Sequence, residues 1–290
     1  MKRPLFRAMR PIQWVKNVFV LAPVVFAEQA LQVEVMARAL LAFLVFCCAA
    51  SAIYLVNDIR DREEDRRHPQ KRHRPIAAGE LSVAAAASAA ILLAAAGVAG
   101  ALVLGTRFLL LLTLYLAINL LYSSGGLKKV VILDVMAVAS GYVLRVMAGG
   151  AAVGVAISNW LLLCTTFLAL LMILSKRRHE ILLLADTAAE HRSVLSHYSP
   201  QFLDQLVNVV TASAVVSYAL YAVDDDTVAR FGSDNLVYTV PLVLFGIFRY
   251  LYLTYQKAEK RNPTEAILFD PPSLANLLLW GLSVVWIVYG

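Results

Sequence analysis

Residues 35–65 read VMARALLAFLVFCCAASAIYLVNDIRDREED, and this stretch decides the class of fold. Residues 35–56 are almost entirely apolar, and as an α-helix they are long enough to cross the roughly 30 Å hydrocarbon core of a bilayer. At Asn57 the apolar run stops abruptly, and a dense cluster of charged side chains begins. This pattern predicts a membrane-spanning helix that ends in an acidic cluster at the membrane boundary.

The composition of the whole chain agrees with a membrane protein. Hydrophobic residues make up 60% of the 290 positions and charged residues only 16%, a balance that excludes an ordinary soluble globular protein. Nine apolar segments follow one another, at residues 15–31, 35–56, 83–104, 108–122, 131–153, 157–174, 206–223, 236–255 and 273–289. We therefore predict an all-α integral membrane protein, in which residues 1–290 form a single polytopic domain with nine transmembrane helices.

The distribution of lysine and arginine predicts the orientation in the membrane. Five lie in the N-terminal stretch, and seven, two, four and three lie in the connections 57–82, 123–134, 175–205 and 256–272. Only Arg38, Arg107 and Arg230 fall on the opposite side. Because cytoplasmic loops carry an excess of positive charge, we expect the N-terminus and these four connections to be cytoplasmic. The net charge of +6 then reflects orientation, and we expect no nucleic-acid partner.

The acidic cluster after Asn57 has the spacing of a metal site. If the preceding helix continues outward, Asp58, Asp61 and Asp65 fall at i, i+3 and i+7, so that three carboxylates share one face and can hold a divalent ion. Three basic residues follow: Lys71, Arg72 and Arg74. A metal ion and basic side chains together neutralise several phosphate oxygens, so the cluster predicts a diphosphate site.

A second set of polar residues surrounds the fifth apolar segment. Asp134, Gly141 and Arg145 are spaced i, i+7 and i+11, which places them on one helix face, and Tyr142 lies close to that face. An arginine at such depth is costly in lipid, so Arg145 should face a polar cavity or pair with an acidic group. We favour a ligand-facing role, and a structural link to Asp134 or a snorkelling side chain stays open.

Two further helix ends carry candidate residues. Lys176 and Arg177 close the sixth apolar segment, and Lys16 and Asn17 lie near the cytoplasmic end of the first. Positive charges at cytoplasmic helix ends are expected for orientation alone, so each pair has a plain alternative explanation. The polarity of Lys16 and Asn17 within a short apolar run favours a functional role for them.

These motifs resemble the UbiA superfamily of membrane prenyltransferases. Its first signature, N-D-x-x-D-x-x-x-D, is matched here by Asn57, Asp58, Asp61 and Asp65. The resemblance implies nine transmembrane helices around a central cavity, with Mg²⁺-bound diphosphate held by two acidic motifs on the cytoplasmic side, where the four connections form a cap over the active site. The second motif, D-x-x-x-D, is incomplete, because Asp134 is followed four residues later by valine.

That departure, together with four strings, resembles one branch of the superfamily, the decaprenyl-phosphate phosphoribosyltransferases. The strings are WVKN at 14–17, HPQKRHRPIAAG at 68–79, LR at 144–145 and AGG at 148–150. The resemblance implies a Mg²⁺-dependent glycosyltransferase of the bacterial cytoplasmic (inner) membrane, with its active site facing the cytoplasm. It would transfer 5-phosphoribosyl from 5-phosphoribosyl 1-diphosphate to decaprenyl or another polyprenyl phosphate drawn from the bilayer. The product, decaprenylphosphoryl 5-phosphoribose, is a precursor for cell-wall arabinan.

The resemblance and the charge pattern together give the predicted site residues. Those predicted to hold the metal are Asn57, Asp58, Asp61 and Asp65. Those predicted to act in catalysis are Asp58, Asp61 and Asp134. Those predicted to bind the donor are Asn57, Lys71, Arg72, Arg74, Asp134, Lys176 and Arg177. Those predicted to bind the acceptor phosphate are Lys16, Asn17, Tyr122, Lys128, Tyr142 and Arg145.

Two other functions compete with this interpretation. A UbiA-type prenyltransferase that moves a prenyl chain from its diphosphate to an aromatic or tetrapyrrole acceptor would use the same acidic cluster. A transporter or lipid flippase with anion-binding helix ends is the alternative from another class, although polar residues near the bilayer midplane are few. A homo-oligomer is compatible with the sequence, which does not specify it.

Overall fold

The computed structural model describes residues 2–69, 71–123, 126–184, 197–256, 267 and 269–290, and within these ranges all regular structure is helical. The α-helices are α1 (Lys2–Ala8), α2 (Ala22–Phe26), α3 (Val33–Arg60), α4 (Arg62–Arg67), α5 (Val83–Leu104), α6 (Thr106–Ser123), α7 (Leu133–Val153), α8 (Asn159–Leu184), α9 (Pro200–Val223), α10 (Asp225–Phe231), α11 (Val240–Tyr255) and α12 (Pro271–Tyr289). Short 3₁₀ helices cover Pro11–Val20, Lys71–His73, Leu127–Lys129 and Asn235–Thr239.

In the described part of the chain, eight helices are long and apolar enough to cross a membrane. They are α3, α5 to α9, the combined segment Asn235–Tyr255, and α12. The predicted first segment, 15–31, is instead built from the 3₁₀ helix Pro11–Val20 and the short α2. Prolines 11 and 23 begin these two pieces, because proline fits the first turn of a helix but interrupts its interior. The all-α membrane fold is confirmed, and the ninth crossing stays a prediction.

The predicted connection 175–205 is shorter than expected. Helix α8 continues through the basic cluster to Leu184, because residues 175–184 contain no proline or glycine to end it. Helix α9 begins at Pro200, where the Ser199 side chain accepts a hydrogen bond from the backbone N–H of Phe202. Lys176 and Arg177 therefore belong to a helix. Residues 185–196 and most of the connection 256–272 lie outside the described ranges.

The chain divides into two compact units. The first comprises Met1–Gly126 and Gly141–Ile157, and the second comprises Leu127–Ser140 and Ser158–Gly290. In the first unit, α3 packs along the alanine-rich α5, and aromatic side chains such as Phe46 and Phe108 form the core. A Cβ atom on Gly149 of α7 would collide with the carbonyl oxygen of Val20. This glycine therefore allows the 3₁₀ segment to lie directly against α7, the close contact expected of small residues in membrane helices.

Arg38, near the start of α3, joins three helices of the first unit. Its Nε donates to the carbonyl oxygen of Ala152 at 2.7 Å, and its Nη2 donates to that of Leu104 at 3.3 Å. Both carbonyls belong to the last turn of a helix, where backbone acceptors lack partners and the helix dipole favours a cation. Arg38 thus caps α5 and α7.

In the second unit, α8 packs against α9 and α11 against α12. A chain of hydrogen bonds joins Trp280, Tyr218 and Thr239, and the buried Thr239 hydroxyl donates in turn to the carbonyl oxygen of Leu236. Every polar atom in this chain has a partner, which membrane burial requires. The chain therefore ties α9, α12 and the 3₁₀ helix Asn235–Thr239 together.

Candidate active site

The acidic cluster of the first unit is divided by a break in the helix. Helix α3 ends at Arg60, Asp61 leaves the helical conformation with φ −88° and ψ 9°, and α4 begins at Arg62. Asp58 and Asp65 are each only 2% exposed. The Asp61 side chain is 38% exposed, and its carboxylate lies 3.8 Å from Nε of Arg60. The predicted single face of three carboxylates is therefore wrong, because the helix does not continue through Asp61.

Arg74 links the two buried carboxylates. Its Nη1 donates to Oδ1 of Asp58 at 3.1 Å and to Oδ2 of Asp65 at 2.7 Å. The residues that follow, Pro75 and Ile76, are buried, and Ile76 packs in a small apolar cluster with Leu55 of α3. That anchor fixes the basic loop, so one guanidinium stands between both acidic groups.

A second arginine completes this cluster, and sequence reasoning missed it. Nη2 of Arg10 donates to Oδ1 of Asp58, and the guanidinium lies 5.0 Å from the ring centre of Tyr54. Arg10 adopts a left-handed backbone conformation with φ 55°, which is unfavourable for a residue with a side chain. The only signal in the sequence is Pro11, which disfavours a helical conformation for the residue before it.

The other predicted residues of the basic loop lie nearer to solvent. Lys71 and Arg72 belong to the 3₁₀ helix Lys71–His73, where Lys71 is half-buried and Arg72 is exposed. The backbone N–H of Lys71 donates to Nδ1 of His68 at 3.3 Å. Asn57 is half-buried in the last turn of α3, next to Asp58 in the chain. Besides Arg74, the loop thus carries two more basic side chains, and both lie nearer to solvent than the linked carboxylates.

Arg145 forms a separate buried polar cluster in the first unit. The residue is 5% exposed, and its guanidinium donates to Oδ1 of Asn17 at 2.7 Å, to the carbonyl oxygen of Gly141 at 2.8 Å and to the hydroxyl of Tyr115 at 2.9 Å. It also lies 5.6 Å from the ring centre of Tyr142. Among the described residues no ion pair involves Arg145. Its charge is therefore held by neutral oxygens and aromatic rings.

This cluster unites three of the predicted acceptor-site residues, Asn17, Tyr142 and Arg145. Asn17 also donates to the Cys47 sulfur at 3.2 Å. Lys16 and Tyr122 are half-buried elsewhere in the first unit, and Lys128 is half-buried in the 3₁₀ helix Leu127–Lys129 of the second.

In the second unit Asp134 is completely buried and is bound through both oxygens. Its Oδ2 accepts from Nε of Arg177 at 3.0 Å, and its Oδ1 accepts from the Tyr198 hydroxyl at 2.7 Å. Nη1 of Arg177 also donates to Glu180 at 2.8 Å. Burial, reinforced by the hydrogen bond to Asp134, raises the pKa of Tyr198 to about 12. Tyr198 therefore keeps its proton at neutral pH and acts as a hydrogen-bond donor.

A neighbouring cluster fixes the same end of α8. Nε of Arg178 donates to Oδ1 of Asp204 at 2.5 Å, and the Tyr255 hydroxyl donates to the same oxygen at 2.7 Å. The Arg178 guanidinium lies 4.0 Å from the Tyr255 ring centre. The predicted residue Lys176 is more exposed, with its Nζ 3.8 Å from Glu180. Sequence reasoning did not single out Tyr198, Asp204 or Tyr255, which lie far from the motifs along the chain.

The described residues contain no group of three or more His, Cys, Asp or Glu side chains placed to hold a metal ion. Asp58 and Asp65 come closest to the predicted donor set, since both bind the same arginine nitrogen. Carboxylate oxygens are the ligands that Mg²⁺ prefers, so these two residues would fit the ion once the Arg74 guanidinium leaves the space between them.

The chain, with this fold and acidic motif, matches a known protein family. The UbiA prenyltransferase family matches residues 18–282. The chain belongs to the UbiA prenyltransferase family. Two relatives named decaprenyl-phosphate phosphoribosyltransferase are similar over most of the chain. That of Corynebacterium glutamicum is 38% identical and covers 98% of this chain and 86% of the relative, and that of Mycobacterium tuberculosis is 39% identical and covers 84% and 81%. The predicted resemblance to this branch is confirmed.

A solved UbiA structure has the same fold. The UbiA homolog from Archaeoglobus fulgidus, bound to GPP and Mg²⁺, matches with a TM-score of 0.70 at 20% identity, over 98% of this chain and 96% of that one. At this identity the likeness concerns the fold alone, and it confirms the predicted UbiA-like architecture. The protein is thus an integral membrane transferase of the UbiA type.

Proposed function

We propose that this UbiA protein transfers the 5-phosphoribosyl group of 5-phosphoribosyl 1-diphosphate to decaprenyl or another polyprenyl phosphate. The products are decaprenylphosphoryl 5-phosphoribose, a precursor for cell-wall arabinan, and diphosphate. The similarity to two relatives of that name, at 38 and 39% identity, supports this reaction. The structural observation that carries it is the cluster in which Arg10 and Arg74 surround the buried carboxylates of Asp58 and Asp65.

The charge of this cluster suits an anionic donor. The two carboxylates are offset by two arginines, and Lys71 and Arg72 lie in the same loop as Arg74. The donor carries a diphosphate and a separate phosphate, and charge-assisted hydrogen bonds from guanidinium groups are strong and directional toward such oxygens. The surplus of basic side chains can therefore bind more than one phosphate.

Asp58 and Asp65, with Asn57 beside them, are the residues of this chain that would hold a divalent metal, which we propose to be Mg²⁺. When bound, the ion would neutralise charge that develops on the leaving diphosphate. The guanidinium of Arg74 now occupies the space between the carboxylates. Once released from the carboxylates, Arg74 can pair with a phosphate oxygen of the donor. The carboxylates, through the metal, and the arginine would then bind the same donor.

The reaction itself needs no general base. The polyprenyl phosphate is already an anion, so one of its oxygens can form the new bond to ribose C1 while the bond from C1 to the diphosphate oxygen breaks. Positive charge on the ring and negative charge on the leaving group develop together. Direct attack from the opposite face inverts C1, giving a β product from the α donor. Assignment of an α-linked product by NMR would contradict direct attack.

The buried cluster around Arg145 is the proposed subsite for the acceptor phosphate. Arg145, Asn17 and Tyr142 are in contact, and their cation has no acidic partner among the described residues. A buried cation without a counter-charge favours an anionic ligand. The charge count of the connections further supports an active site that faces the cytoplasm. The bacterial relatives support a location in the cytoplasmic membrane of a bacterium.

The decisive experiment supplies purified protein in detergent with Mg²⁺, radiolabelled 5-phosphoribosyl 1-diphosphate and decaprenyl phosphate, and then extracts the lipid. Label in the lipid that depends on Mg²⁺ and on both substrates is the expected result. Asp58→Asn serves as the inactive control, and Glu64→Gln, an exposed acidic residue in α4, is the matched active control. Absence of label, with prenyl transfer from a prenyl diphosphate to an aromatic acceptor, would overturn the proposal. Lipid transport in proteoliposomes without chemical conversion would overturn it too.

A further inference from the structure

One face of α3 receives the N-terminal segment around Arg10. Ser51, Tyr54 and Asp58 are spaced i, i+3 and i+7 in this helix, so their side chains share that face. The Arg10 guanidinium lies 5.0 Å from the ring centre of Tyr54 and donates to Oδ1 of Asp58. Ser51, one turn earlier in the helix, binds the chain on either side of Arg10. The three side chains therefore act on one short stretch of the N-terminus.

Ser51 joins two points of that stretch through a single hydroxyl. The residue is 0% exposed, and its Oγ accepts a hydrogen bond from Nε1 of Trp14 at 3.1 Å and donates to the carbonyl oxygen of Met9 at 3.2 Å. An indole N–H can only donate and a carbonyl oxygen can only accept, so the direction of both hydrogen bonds is fixed. Arg10 lies between the two bonded residues, and its backbone is thereby restrained from both sides.

The backbone of Arg10 has a conformation that a residue with a Cβ atom disfavours. Its φ of 55° and ψ of 61° lie in the left-handed region, which glycine adopts far more readily. The hydrogen bonds of Ser51 on both sides help to hold this conformation. Local strain that the surrounding structure maintains is typical of functional sites. In this case the conformation directs a guanidinium at Asp58.

Arg10 keeps hydrogen-bond donors available for a ligand. Its side chain is 29% exposed, and Nη2 is its one side-chain nitrogen that forms a hydrogen bond within the described part of the chain. A guanidinium has five N–H donors, so most of those of Arg10 are not used by the protein. Arg10 can therefore bind an anion while its backbone stays in place.

Arg10 and Arg74 meet at the same atom. Nη2 of Arg10 and Nη1 of Arg74 both donate to Oδ1 of Asp58. Two guanidinium groups that meet at one oxygen are close enough to bind adjacent phosphates of a single diphosphate. They also repel each other, and a diphosphate beside them would offset that repulsion.

We propose that Arg10 binds the diphosphate of the donor together with Arg74, and that Ser51 is the positioning residue for Arg10. Arg10 touches the ligand directly, whereas the fully buried Ser51 acts only through Arg10. When the metal binds Asp58, both guanidinium groups are released from that carboxylate to the phosphate oxygens. The inference rests on the proposed function, because the diphosphate belongs to the donor of that reaction.

The test measures binding of inorganic pyrophosphate to the full-length protein at saturating Mg²⁺, by isothermal titration calorimetry in detergent. Arg10→Gln is expected to weaken pyrophosphate binding about tenfold, the effect of losing a charged hydrogen bond. Arg3→Gln, which changes an exposed arginine of α1, should bind pyrophosphate as wild type does. An unchanged pyrophosphate affinity in Arg10→Gln would overturn the proposal.

Metal binding separates this role from a merely structural one. Electron paramagnetic resonance of free Mn²⁺, without pyrophosphate, gives the Mn²⁺ bound by each variant. Arg10→Gln should bind Mn²⁺ at least as tightly as wild type, because a cation that competes for Asp58 is gone. Loss of Mn²⁺ binding would overturn the proposal, since it would give Arg10 a role in shaping the metal site alone.

A second variant protects the test against misfolding. Arg10→Gly removes the guanidinium, and glycine adopts the left-handed conformation without strain, so its thermal unfolding midpoint should not fall below that of Arg10→Gln. Arg10→Gly should show the same loss of pyrophosphate affinity. Pyrophosphate binding at the wild-type level in this variant would contradict the proposal.

Coupling between the two residues tests the role of Ser51. Ser51→Ala should weaken pyrophosphate binding about threefold, because the Arg10 backbone is held less firmly. If Ser51 acts only through Arg10, the double variant Ser51→Ala/Arg10→Gln should bind pyrophosphate as Arg10→Gln alone does. Additive losses would contradict the positioning role.

This inference and the proposed function can fail separately. Pyrophosphate is released by phosphoribosyl transfer and by prenyl transfer alike, so its binding does not depend on which group is transferred. A wild-type protein that binds pyrophosphate but transfers no phosphoribosyl group contradicts the proposed function alone. Phosphoribosyl transfer by a protein whose pyrophosphate affinity is insensitive to Arg10 contradicts this inference alone.

Discussion

The Nη1 atom of Arg74 lies 2.7 Å from Oδ2 of Asp65, and the same nitrogen lies 3.1 Å from Oδ1 of Asp58. One cation thus holds two buried carboxylates that would otherwise repel each other. A divalent metal bound by these carboxylates must displace the Arg74 guanidinium. The displaced guanidinium can then bind a phosphate of the donor. Metal and donor are therefore expected to bind cooperatively, because each relieves a cost of binding the other.

Arg74→Gln is expected to separate metal binding from donor binding. Without the competing guanidinium, the protein alone should bind Mn²⁺ about tenfold more tightly, while the donor KM rises by at least the same factor because a phosphate partner is lost. Electron paramagnetic resonance of free Mn²⁺ measures the metal affinity, and initial rates of phosphoribosyl transfer give the donor KM. Arg67→Gln, an exposed arginine in α4, is the matched control. Weaker Mn²⁺ binding in Arg74→Gln would show that the guanidinium does not compete with the metal.

Asp58→Asn and Asp65→Asn are expected to lower transfer at least about a hundredfold while the protein stays folded in detergent, because both carboxylates are proposed to hold the metal. Asp61→Asn should reduce transfer less, since its side chain is 38% exposed and its ion pair among the described residues is with Arg60 at 3.8 Å. Transfer of labelled phosphoribose and the thermal unfolding midpoint check these outcomes. Equal losses at positions 58, 61 and 65 would instead support the three-carboxylate site that the sequence predicts.

Arg145→Lys tests the proposed acceptor subsite. Lysine keeps the charge but cannot reproduce the planar set of bonds to Asn17, Gly141 and Tyr115. The midpoint of thermal unfolding should fall by several degrees, and KM for polyprenyl phosphate should rise. Tyr115→Phe removes one partner of the guanidinium and is expected to lower only the midpoint. An unchanged KM in Arg145→Lys would leave Arg145 with a structural role only.

Arg38→Gln is expected to destabilise the protein without a direct effect on the site. Its two hydrogen bonds to helix-end carbonyls are charge-assisted, and their loss should cost about 2 kcal/mol of unfolding free energy. Arg107→Gln, an exposed arginine predicted to lie on the same side of the membrane, should change stability little. Thermal unfolding in detergent distinguishes the two. Equal stability of both variants would mean that the caps contribute nothing measurable.

Stability should depend on acid pH through Asp270. Hydrogen bonds from Arg249, at 2.7 and 2.9 Å, hold the pKa of the Asp270 carboxyl well below its ordinary value. The pKa of Asp270 is lower in the folded state than in the unfolded state. The stabilisation of the folded state by ionised Asp270 is therefore complete above about pH 4, and it is lost as pH falls toward the folded pKa. The unfolding midpoint of Asp270→Asn should therefore lie below that of wild type at pH 7, and the gap should narrow below about pH 4. A gap that stays constant down to pH 3 would contradict this, and exposed Asp234→Asn is the control.

Much of the fold could be predicted from composition and local pattern. Long apolar runs must be helices in a membrane, because only a helix satisfies all its backbone hydrogen bonds within one segment. The first acidic motif and the basic loop were found from sequence for the same local reason, since charged residues at a membrane boundary stand out. The first segment was harder to predict, because prolines 11 and 23 leave its helical form undecided.

The sequence by itself determined the membrane class, the helical segments after the first one, and the charged clusters that we propose to bind phosphate, because these depend on neighbouring residues and on helix length. Only the tertiary structure decided which charges meet. Arg10 reaches Asp58 across 48 positions, and Tyr198 reaches Asp134 across 64. The loop anchored by Ile76 likewise packs on α3 and brings Arg74 between two carboxylates. Side chains so distant along the chain interact only after packing fixes their backbones, and no local pattern specifies that packing.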